Sequence, residues 1–283
     1  MIPVKCDYKI KDDIDFFLES TKISALELSE KTKISRTTLE EIAKAGRAAS
    51  TVCEKFYAFA YEHGYRMNAV KEELAKEQFK NVLFHGSKEG LEEITANGSR
   101  TNCDFGKGFY TGETYSQALA FVCENSNSSV YSFSYSPELL KVKRFDCSLE
   151  WMLTICHYRG TLGEYDQNDI IKKIVAEVEA ADMIVAPIAD NKMFYVMAQF
   201  AEGEINADAA LHSLSASSLG LQYVFRTDAA VNALSPIEKY YICNPERENC
   251  KRSLNERAYA IDTKLKLAKR QFKTGLYIEE ILK

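Results

Sequence analysis

Glycine and proline are distributed unevenly along this 283-residue chain, and that distribution constrains its fold more than any other feature. No proline follows Pro3 until Pro137, and no glycine precedes Gly46. Because both residues interrupt helices, their scarcity predicts a helical first part, to about residue 76. From Asn81 onward, glycines and short apolar runs alternate with helical patterns, which indicates an α+β fold. Three parts are predicted: a helical domain at 1–76, a sheet-containing domain at 77–245, and an amphipathic C-terminal helix within 246–283.

The helical part carries the signals of short helices joined by tight turns. Ser24 precedes an apolar-periodic stretch and Glu27 follows three positions later, which is the spacing of a capping box. Gly46 marks the end of another helix. The predicted helices are Asp12–Thr21, Ala25–Thr32, Arg36–Ala45 and Thr51–His63, followed by a charged helical linker at 67–80.

The run LSEKTKISRTTLEEIAKAG, residues 28–46, resembles bacterial Cro-repressor-like helix-turn-helix domains. In those domains the second helix of the pair enters the major groove with its N-terminal residues foremost. That resemblance implies DNA contact through residues 24–64. The residues it places against DNA are Ser35, Arg36, Thr37, Thr38 and Glu41. The alternative is a helical bundle that packs on the rest of the chain or on a partner protein. Residues 1–76 hold 13 Lys and Arg against 13 Asp and Glu, and this lack of net positive charge favours that alternative.

Composition excludes several classes of function. The net charge of −5 gives no global attraction to nucleic acid, so any such contact is local. The eight cysteines form no C-x-x-C pair and the histidines lack ligand-like spacing, so we expect neither a disulfide framework nor a metal site. No run approaches the roughly 20 apolar residues of a membrane helix, and no signal peptide is evident. We therefore expect a cytoplasmic protein without a membrane partner.

Beyond residue 81 the pattern predicts six strands and five helices. The predicted strands are Val82–His85, Gly108–Thr111, Ser129–Tyr135, Val142–Asp146, Met183–Pro187 and Gln222–Arg226. The predicted helices are Tyr115–Glu124, Ser148–His157, Asp169–Glu179, Asn191–Ala201 and Ala207–Ser215, and the apolar spacing of Ser253–Leu282 predicts the C-terminal helix.

Two short segments concentrate the features of a binding site for a flat ligand. His85, Gly86 and Ser87 end an apolar strand, and a glycine there lets the backbone approach and pair with an amide. The second segment, FGKGFY at 105–110, has two glycines one residue apart and then aromatic residues. Phe121 follows Tyr110 by eleven positions in a predicted helix, so two aromatic faces can enclose a planar ring.

The order HGS, FGKGFY and SQALAF resembles the NAD site of the diphtheria-toxin-like ADP-ribosyltransferases, which include the poly(ADP-ribose) polymerases. That resemblance implies a split β-sheet with NAD bound as substrate and without a metal. His85 would bind the adenosine-side ribose, Gly86 would hold the nicotinamide carboxamide through its backbone, and Ser87 would assist at the amide. Tyr110 would stack on the nicotinamide ring, and Phe121 would provide the second aromatic wall.

The third element of that family is a late strand with a catalytic glutamate, and the most similar segment here is Leu221–Phe225. Gln222 stands where the glutamate is expected. A glutamine can accept a hydrogen bond from the ribose 2′-hydroxyl but supplies no negative charge and no general base. Elongation of poly(ADP-ribose) is therefore disfavoured, whereas mono-transfer or NAD binding without turnover is compatible. The pattern also resembles an uncharacterised bacterial family with DFGKGFY and a Gln-Tyr strand, in which glutamine is the normal residue.

Four further polar residues have a functional and a structural interpretation. Arg100 and Lys107 are candidates to contact the pyrophosphate, and the alternative for Lys107 is a solvated surface charge. Arg159 is best interpreted as a cation at a helix C-terminus. Asp190 follows an apolar strand at a turn and is interpreted as a turn or helix-capping residue.

The sequence therefore predicts an enzyme, a mono-ADP-ribosyltransferase that modifies a protein or nucleic acid and releases nicotinamide, with catalysis by His85, Tyr110 and Gln222. One alternative is a DNA-binding transcriptional regulator whose NAD-sensing domain is catalytically inactive. Another is a protein-interaction module with a vestigial site. Fusion of a helix-turn-helix to a transferase suggests a bacterial toxin or a phage-defence factor.

Overall fold

The computed structural model describes residues 2–215 and 219–283, which form an α+β fold. A helical N-terminal region comes first, and a mixed β-sheet with helices packed on it follows. The N-terminal helices are α1 (Ile10–Thr21), α2 (Ala25–Thr32), α3 (Arg36–Ala45), α4 (Ser50–Glu62) and α5 (Met67–Gln78). The predicted bounds of α2 and α3 are confirmed, and those of α1 and α4 differ by one or two residues.

The boundary between α1 and α2 follows from the local sequence. The Ser24 hydroxyl accepts a hydrogen bond from the Glu27 N–H (3.2 Å), and the Glu27 carboxylate accepts one from the Ser24 N–H (2.9 Å). This is the predicted capping box. Behind these helices Phe17 is buried, with edge-to-face contacts to the rings of Phe56 (5.7 Å) and Tyr65 (4.9 Å). The helical region therefore has an apolar core of its own.

Helix α5 is a packed structural element, whereas its charge pattern predicted a linker. Lys71 is only 6 % exposed, and its ammonium contacts the carboxylates of Asp13 (2.8 Å) and Glu238 (2.5 Å). Asp13 belongs to α1, and Glu238 belongs to a strand of the sheet. The buried ion pairs therefore join the helical region to the sheet, and their partners are too distant in sequence for a local pattern to reveal.

Seven of the described strands form one sheet, in the order β6-β7-β8-β4-β2-β5-β9. These strands are β2 (Val82–Ser87), β4 (Phe109–Gly112), β5 (Ser129–Tyr135), β6 (Val142–Arg144), β7 (Met183–Pro187), β8 (Leu221–Phe225) and β9 (Leu234–Tyr240), and a separate pair consists of β1 (Ile2–Pro3) and β3 (Glu93–Ile94). Only β6 and β7 pair in parallel among the described residues. All six predicted strands are present, with ends within two residues of the prediction.

Strand β9 is absent from the predicted strands, and it contains Pro236, which has no N–H to donate to a neighbouring strand. It lies at the edge of the sheet, and its register with β5 shifts between Ser132 and Phe133, next to the proline. Edge positions and irregular registers are where a strand tolerates proline. Pro236 does disfavour a strand, but at the edge of the sheet its missing N–H costs β9 little.

The remaining helices are α6 (Tyr115–Val122), α7 (Leu149–Arg159), α8 (Asp169–Glu179), α9 (Asn191–Ala201), α10 (Ala207–Ser215), α11 (Asp228–Val231), α12 (Asn244–Gln271) and α13 (Ile278–Ile281), with a 3₁₀ turn at Gly163–Gln167. The bounds of α8, α9 and α10 match the predicted ones. The predicted C-terminal helix, Ser253–Leu282, begins earlier, at Asn244, where Pro245 occupies its first turn, and it ends at Gln271, before the separate helix α13. None of the helices in the described ranges is long and apolar enough to span a membrane.

One face of the sheet is covered by two separate groups of helices. Over β7 and β8, helices α7, α9, α10 and α12 pack on a cluster that includes Ala186 and Val224. Over β2, β5 and β9, helix α6 packs on a cluster that includes Phe84 and Tyr240. Strand β4 lies between the two groups, and Gly112 there is the register partner of both Phe84 and Gln222. On that face the Gln117 side chain of α6 lies against Gly112 and donates to the Leu219 carbonyl, so α6 reaches over β4.

Candidate functional site

The candidate site lies where β2 and β4 separate. In the described chain these two strands share the single register pair Phe84–Gly112, whereas β2 pairs with β5 at all six of its positions. His85 spans the opening, because its Nδ1 lies 2.7 Å from the carbonyl oxygen of Tyr110. The backbone edge of β2 toward β4 is therefore without a strand partner beyond Phe84. We call this opening the β2–β4 seam.

The hydrogen bond to Tyr110 fixes the protonation of the His85 ring. A carbonyl oxygen only accepts, so Nδ1 carries the proton and Nε2 is left as an acceptor. Burial lowers the pKa of His85 below its usual value, although the bond to the Tyr110 carbonyl partly opposes this, so the neutral ring is favoured at neutral pH. The ring stacks on Phe109 with centroids 4.3 Å apart. His85 therefore presents a neutral, oriented imidazole beside the seam.

Gly86 is a glycine because helix α6 packs directly on it. A β-carbon at this position would lie 2.4 Å from the carbonyl oxygen of Ala118 and 2.9 Å from Cγ1 of Val122. Both distances are too short for real atoms, so any side chain would displace α6. The backbone of β2 and helix α6 are thus held together at Gly86, and Phe121 belongs to the same helix.

Phe121 lies between Ala118 and Val122 in sequence and projects from the same helix. Its side chain is 60 % exposed, while Ala118 and Val122 are buried. An aromatic ring with this exposure buries little of its surface in the protein core. Its place beside the residues that contact Gly86 is compatible with the predicted aromatic wall.

Tyr110 uses its hydroxyl for the structure of its own loop. The hydroxyl donates to the carbonyl of Gly106 (2.7 Å) and accepts from the Phe105 N–H (3.1 Å). Burial raises the pKa of Tyr110 far above its ordinary value, so the phenol remains neutral. Gly106 has φ +70°, which glycine adopts readily. What Tyr110 offers a ligand is its ring, not its hydroxyl.

Gln222 faces the same side of the sheet as Tyr110, because it pairs with Gly112, two residues farther along β4. It is only 4 % exposed. Its Nε2 donates to Oδ2 of Asp104 (3.0 Å) and to the carbonyl of Pro187 (3.1 Å). The amide oxygen Oε1 has no hydrogen-bond partner among the residues that the structure describes.

Asp104 was not singled out as a functional residue from the sequence, although it directly precedes FGKGFY. It is buried, and its Oδ1 accepts from Arg159 Nε (2.8 Å) and Nη2 (2.5 Å). Arg159 lies in the last turn of α7, as predicted, and its guanidinium also lies 4.4 Å from the centre of the Phe194 ring. The three side chains Arg159, Asp104 and Gln222 thus form a continuous polar network behind the seam.

The other residues predicted to contact a ligand differ in whether their side chains already bond to the protein. The Ser87 hydroxyl donates to the Gly90 carbonyl, within the loop that follows β2. Arg100 and Lys107 are exposed, and neither side chain bonds to another residue in the described ranges. Asp190 caps α9 by accepting from the Lys192 N–H (2.9 Å) and the Met193 N–H (2.8 Å), which confirms its structural interpretation.

The predicted DNA-contacting residues lie at the start of α3. Ser35 caps the helix through the Thr38 N–H (3.1 Å), while Arg36, Thr37 and Glu41 are exposed. A concave surface of about 380 Å³ lies between α1, α2 and α3, away from the seam, and Arg36 lines it. No group of three or more His, Cys, Asp or Glu side chains is placed to share a metal ion in the described parts of the chain.

Comparison with known families gives one result. The model of a family described as "Protein of unknown function (DUF3990)" matches residues 81–235, which is more than half of the chain. The chain belongs to this family. The matched range begins one residue before β2 and ends within β9, so it includes His85, Tyr110 and Gln222. No curated protein and no solved structure matches the chain.

Proposed function

We propose that this protein is a mono-ADP-ribosyltransferase that binds NAD at the β2–β4 seam. One observation carries the proposal: His85, Tyr110 and Gln222 lie on three adjacent strands, β2, β4 and β8, at the point where β2 and β4 separate. Tyr110 and Gln222 face one side of the sheet, and the His85 ring lies on the other side against Phe109, joined to β4 through the Tyr110 carbonyl. His85 and Tyr110 lie 25 residues apart in sequence, and Gln222 lies more than 100 residues after both. The resemblance to ADP-ribosyltransferases was based on these same segments, and their position on adjacent strands supports it.

Each group at the seam has a role that its contacts allow. The unpaired edge of β2 at Gly86 would bind the nicotinamide carboxamide through backbone N–H and C=O. The Tyr110 ring and the exposed Phe121 ring would enclose the nicotinamide. His85 Nε2 would accept from a hydroxyl of the adenosine ribose, and Gln222 Oε1 from the 2′-hydroxyl of the nicotinamide ribose. The exposed cations Arg100 and Lys107 would contact the pyrophosphate.

The reaction breaks the bond between the ribose C1′ and the nicotinamide nitrogen. Nicotinamide leaves as a neutral molecule with the bonding electron pair, and the ribose passes through an oxocarbenium-like state. A nucleophile on a protein or nucleic acid bonds to C1′ and loses its proton. Gln222 would orient the ribose without supplying charge, which limits the reaction to slow, single transfers. A cytoplasmic location, where the eight thiols stay reduced, fits this activity.

The test uses the full chain with NAD and a cell lysate as the source of acceptors. Chromatography measures nicotinamide release, and labelled NAD reports transfer to macromolecules. We expect both signals for the wild type and their loss in His85→Ala and Tyr110→Ala. Phe121→Ala should weaken NAD binding, whereas Tyr259→Ala, which removes another exposed aromatic residue at 77 % exposure, should not. If the wild type shows no label transfer and no nicotinamide release, the proposed activity is refuted.

A second candidate is a DNA-binding regulator that senses NAD without chemistry. Two observations favour it: a neutral amide stands at Gln222, and α3 presents Arg36, Thr37 and Glu41 to solvent. It predicts that calorimetry detects NAD binding while nicotinamide is never released. It also predicts salt-sensitive DNA binding, in which Arg36→Ala lowers the salt slope by about 1. An absence of any nucleotide binding would favour a protein-interaction module instead.

A further inference from the structure

The buried carboxylate of Asp104 divides its two oxygens between two partners. Oδ1 accepts from the Arg159 guanidinium and Oδ2 accepts from Gln222 Nε2 at 3.0 Å. Asp104 and Gln222 are both under 10 % exposed, so water competes little for these bonds. The Arg159 fork is itself held against the Phe194 ring. The position of the carboxylate is therefore set from the side opposite Gln222.

This network determines which way the Gln222 amide points. The groups that face Nε2 are the Asp104 carboxylate and the Pro187 carbonyl, and both can only accept hydrogen bonds. If the amide turned over, Oε1 would face two acceptors, and both Asp104 Oδ2 and the Pro187 carbonyl would lose the donor that Nε2 now provides. The NH₂ group must therefore face Asp104 and Pro187, and Oε1 must face away from them.

We infer that Asp104 is a positioning residue, which holds Gln222 Oε1 toward the nicotinamide ribose and places a carboxylate one hydrogen bond behind it. This inference rests on the proposed function. The glutamate expected at position 222 would supply both an acceptor and a negative charge, and here the two are divided. Gln222 provides the acceptor, and Asp104 provides the carboxylate that orients it.

The first test measures the network without measuring activity. In the ¹⁵N-labelled full chain, the side-chain NH₂ signals of Gln222 are identified by their loss in Gln222→Glu. With both hydrogens bonded to buried acceptors, these protons should exchange with solvent at least tenfold more slowly than those of exposed glutamines. In Asp104→Asn they should shift and exchange faster. Rapid exchange in the wild type would overturn the inference, whether or not NAD binds.

The second test measures turnover. An asparagine at 104 can donate to Gln222 Oε1 and so allows the amide to turn over, presenting NH₂ where the ribose hydroxyl needs an acceptor. Asp104→Asn should lower kcat about 10- to 100-fold, in the range of losing one oriented polar contact, with KM changed less than threefold. Asp262→Asn removes a carboxylate that is ion-paired with Lys192 on the surface, and it should leave kcat unchanged.

A reciprocal exchange separates positioning from simple loss of structure. In the double variant Asp104→Asn with Gln222→Glu, the asparagine donates to a carboxylate that now stands at position 222. This variant should recover kcat to within about tenfold of the wild type. If Asp104→Asn keeps wild-type kcat, or if the double variant is no more active than folded Asp104→Asn, the inference is wrong. A wild type with slowly exchanging Gln222 protons but no NAD binding would refute the proposed function and the ribose-directed role, leaving only the hydrogen-bond network.

Discussion

Replacing Gly86 by alanine tests the contact that closes one wall of the seam. The added β-carbon would lie 2.4 Å from the Ala118 carbonyl oxygen, a backbone atom that moves only with helix α6. Overpacking of this kind costs about 1–3 kcal/mol, and the close approach to backbone and to Val122 puts this site at about 2–3 kcal/mol. Because α6 carries Phe121, its displacement should also weaken NAD binding.

Urea denaturation gives the stability change directly, since the single tryptophan, Trp151, is fully buried and reports unfolding by fluorescence. Calorimetry gives the affinity for NAD. Gly98→Ala is the matched control, because its β-carbon would approach Thr95 Cγ2 only to 3.3 Å, and we expect a change within about 0.5 kcal/mol. If Gly86→Ala is as stable as this control, helix α6 does not pack on β2 at Gly86, and α6 does not form a wall of the seam.

Three further perturbations test other parts of the structure. Tyr110→Phe removes a hydroxyl with two hydrogen bonds and should cost about 1–3 kcal/mol of unfolding free energy, yet change NAD affinity less than threefold because the ring remains; calorimetry and urea denaturation check both. Lys71→Met leaves two buried carboxylates without their shared cation and should cost about 3–5 kcal/mol, and a loss under about 1 kcal/mol in denaturation would contradict the pairing. Burial raises the pKa of Glu246 from 4.5 to about 7, so the folded protein binds this proton more tightly than the unfolded chain. The free energy of unfolding therefore falls as the pH rises between these two values. The free energy of unfolding of Glu246→Gln should therefore rise by about 2 kcal/mol relative to that of the wild type between pH 5 and pH 8. This is less than the full pKa shift implies, because the Glu246 side chain keeps some solvent contact. Equal dependence of the two unfolding free energies on pH would refute this prediction.

The sequence was most informative where local chemistry decides structure. The Ser24–Glu27 capping box sets the start of α2, and the αL glycine Gly46 ends α3, so both helices were predicted to the residue. Apolar runs such as Met183–Pro187 and Ser129–Tyr135 were predicted as strands with their observed bounds. These signals lie within a few residues of the feature they determine.

Interactions between distant segments were not predictable in the same way. The pairing of Lys71 with Asp13 and Glu238 turns an apparently solvated charge into a buried one. Strand β9 contains Pro236, and only its edge position makes that acceptable. The bond between Asp104 and Gln222 joins residues 118 positions apart, so neither residue's surroundings indicate the other. The segments of the candidate site were visible in the sequence, but the network that orients its glutamine was not.

A crystal structure of the full chain with NAD at saturating concentration tests the central claim most directly. We expect nicotinamide at the β2–β4 seam, with its carboxamide on the Gly86 backbone and its ring between Tyr110 and Phe121. Gln222 Oε1 should lie about 3 Å from the 2′-hydroxyl oxygen of the nicotinamide ribose. Density for the dinucleotide elsewhere on the protein, or an empty seam in the presence of saturating NAD, would contradict it.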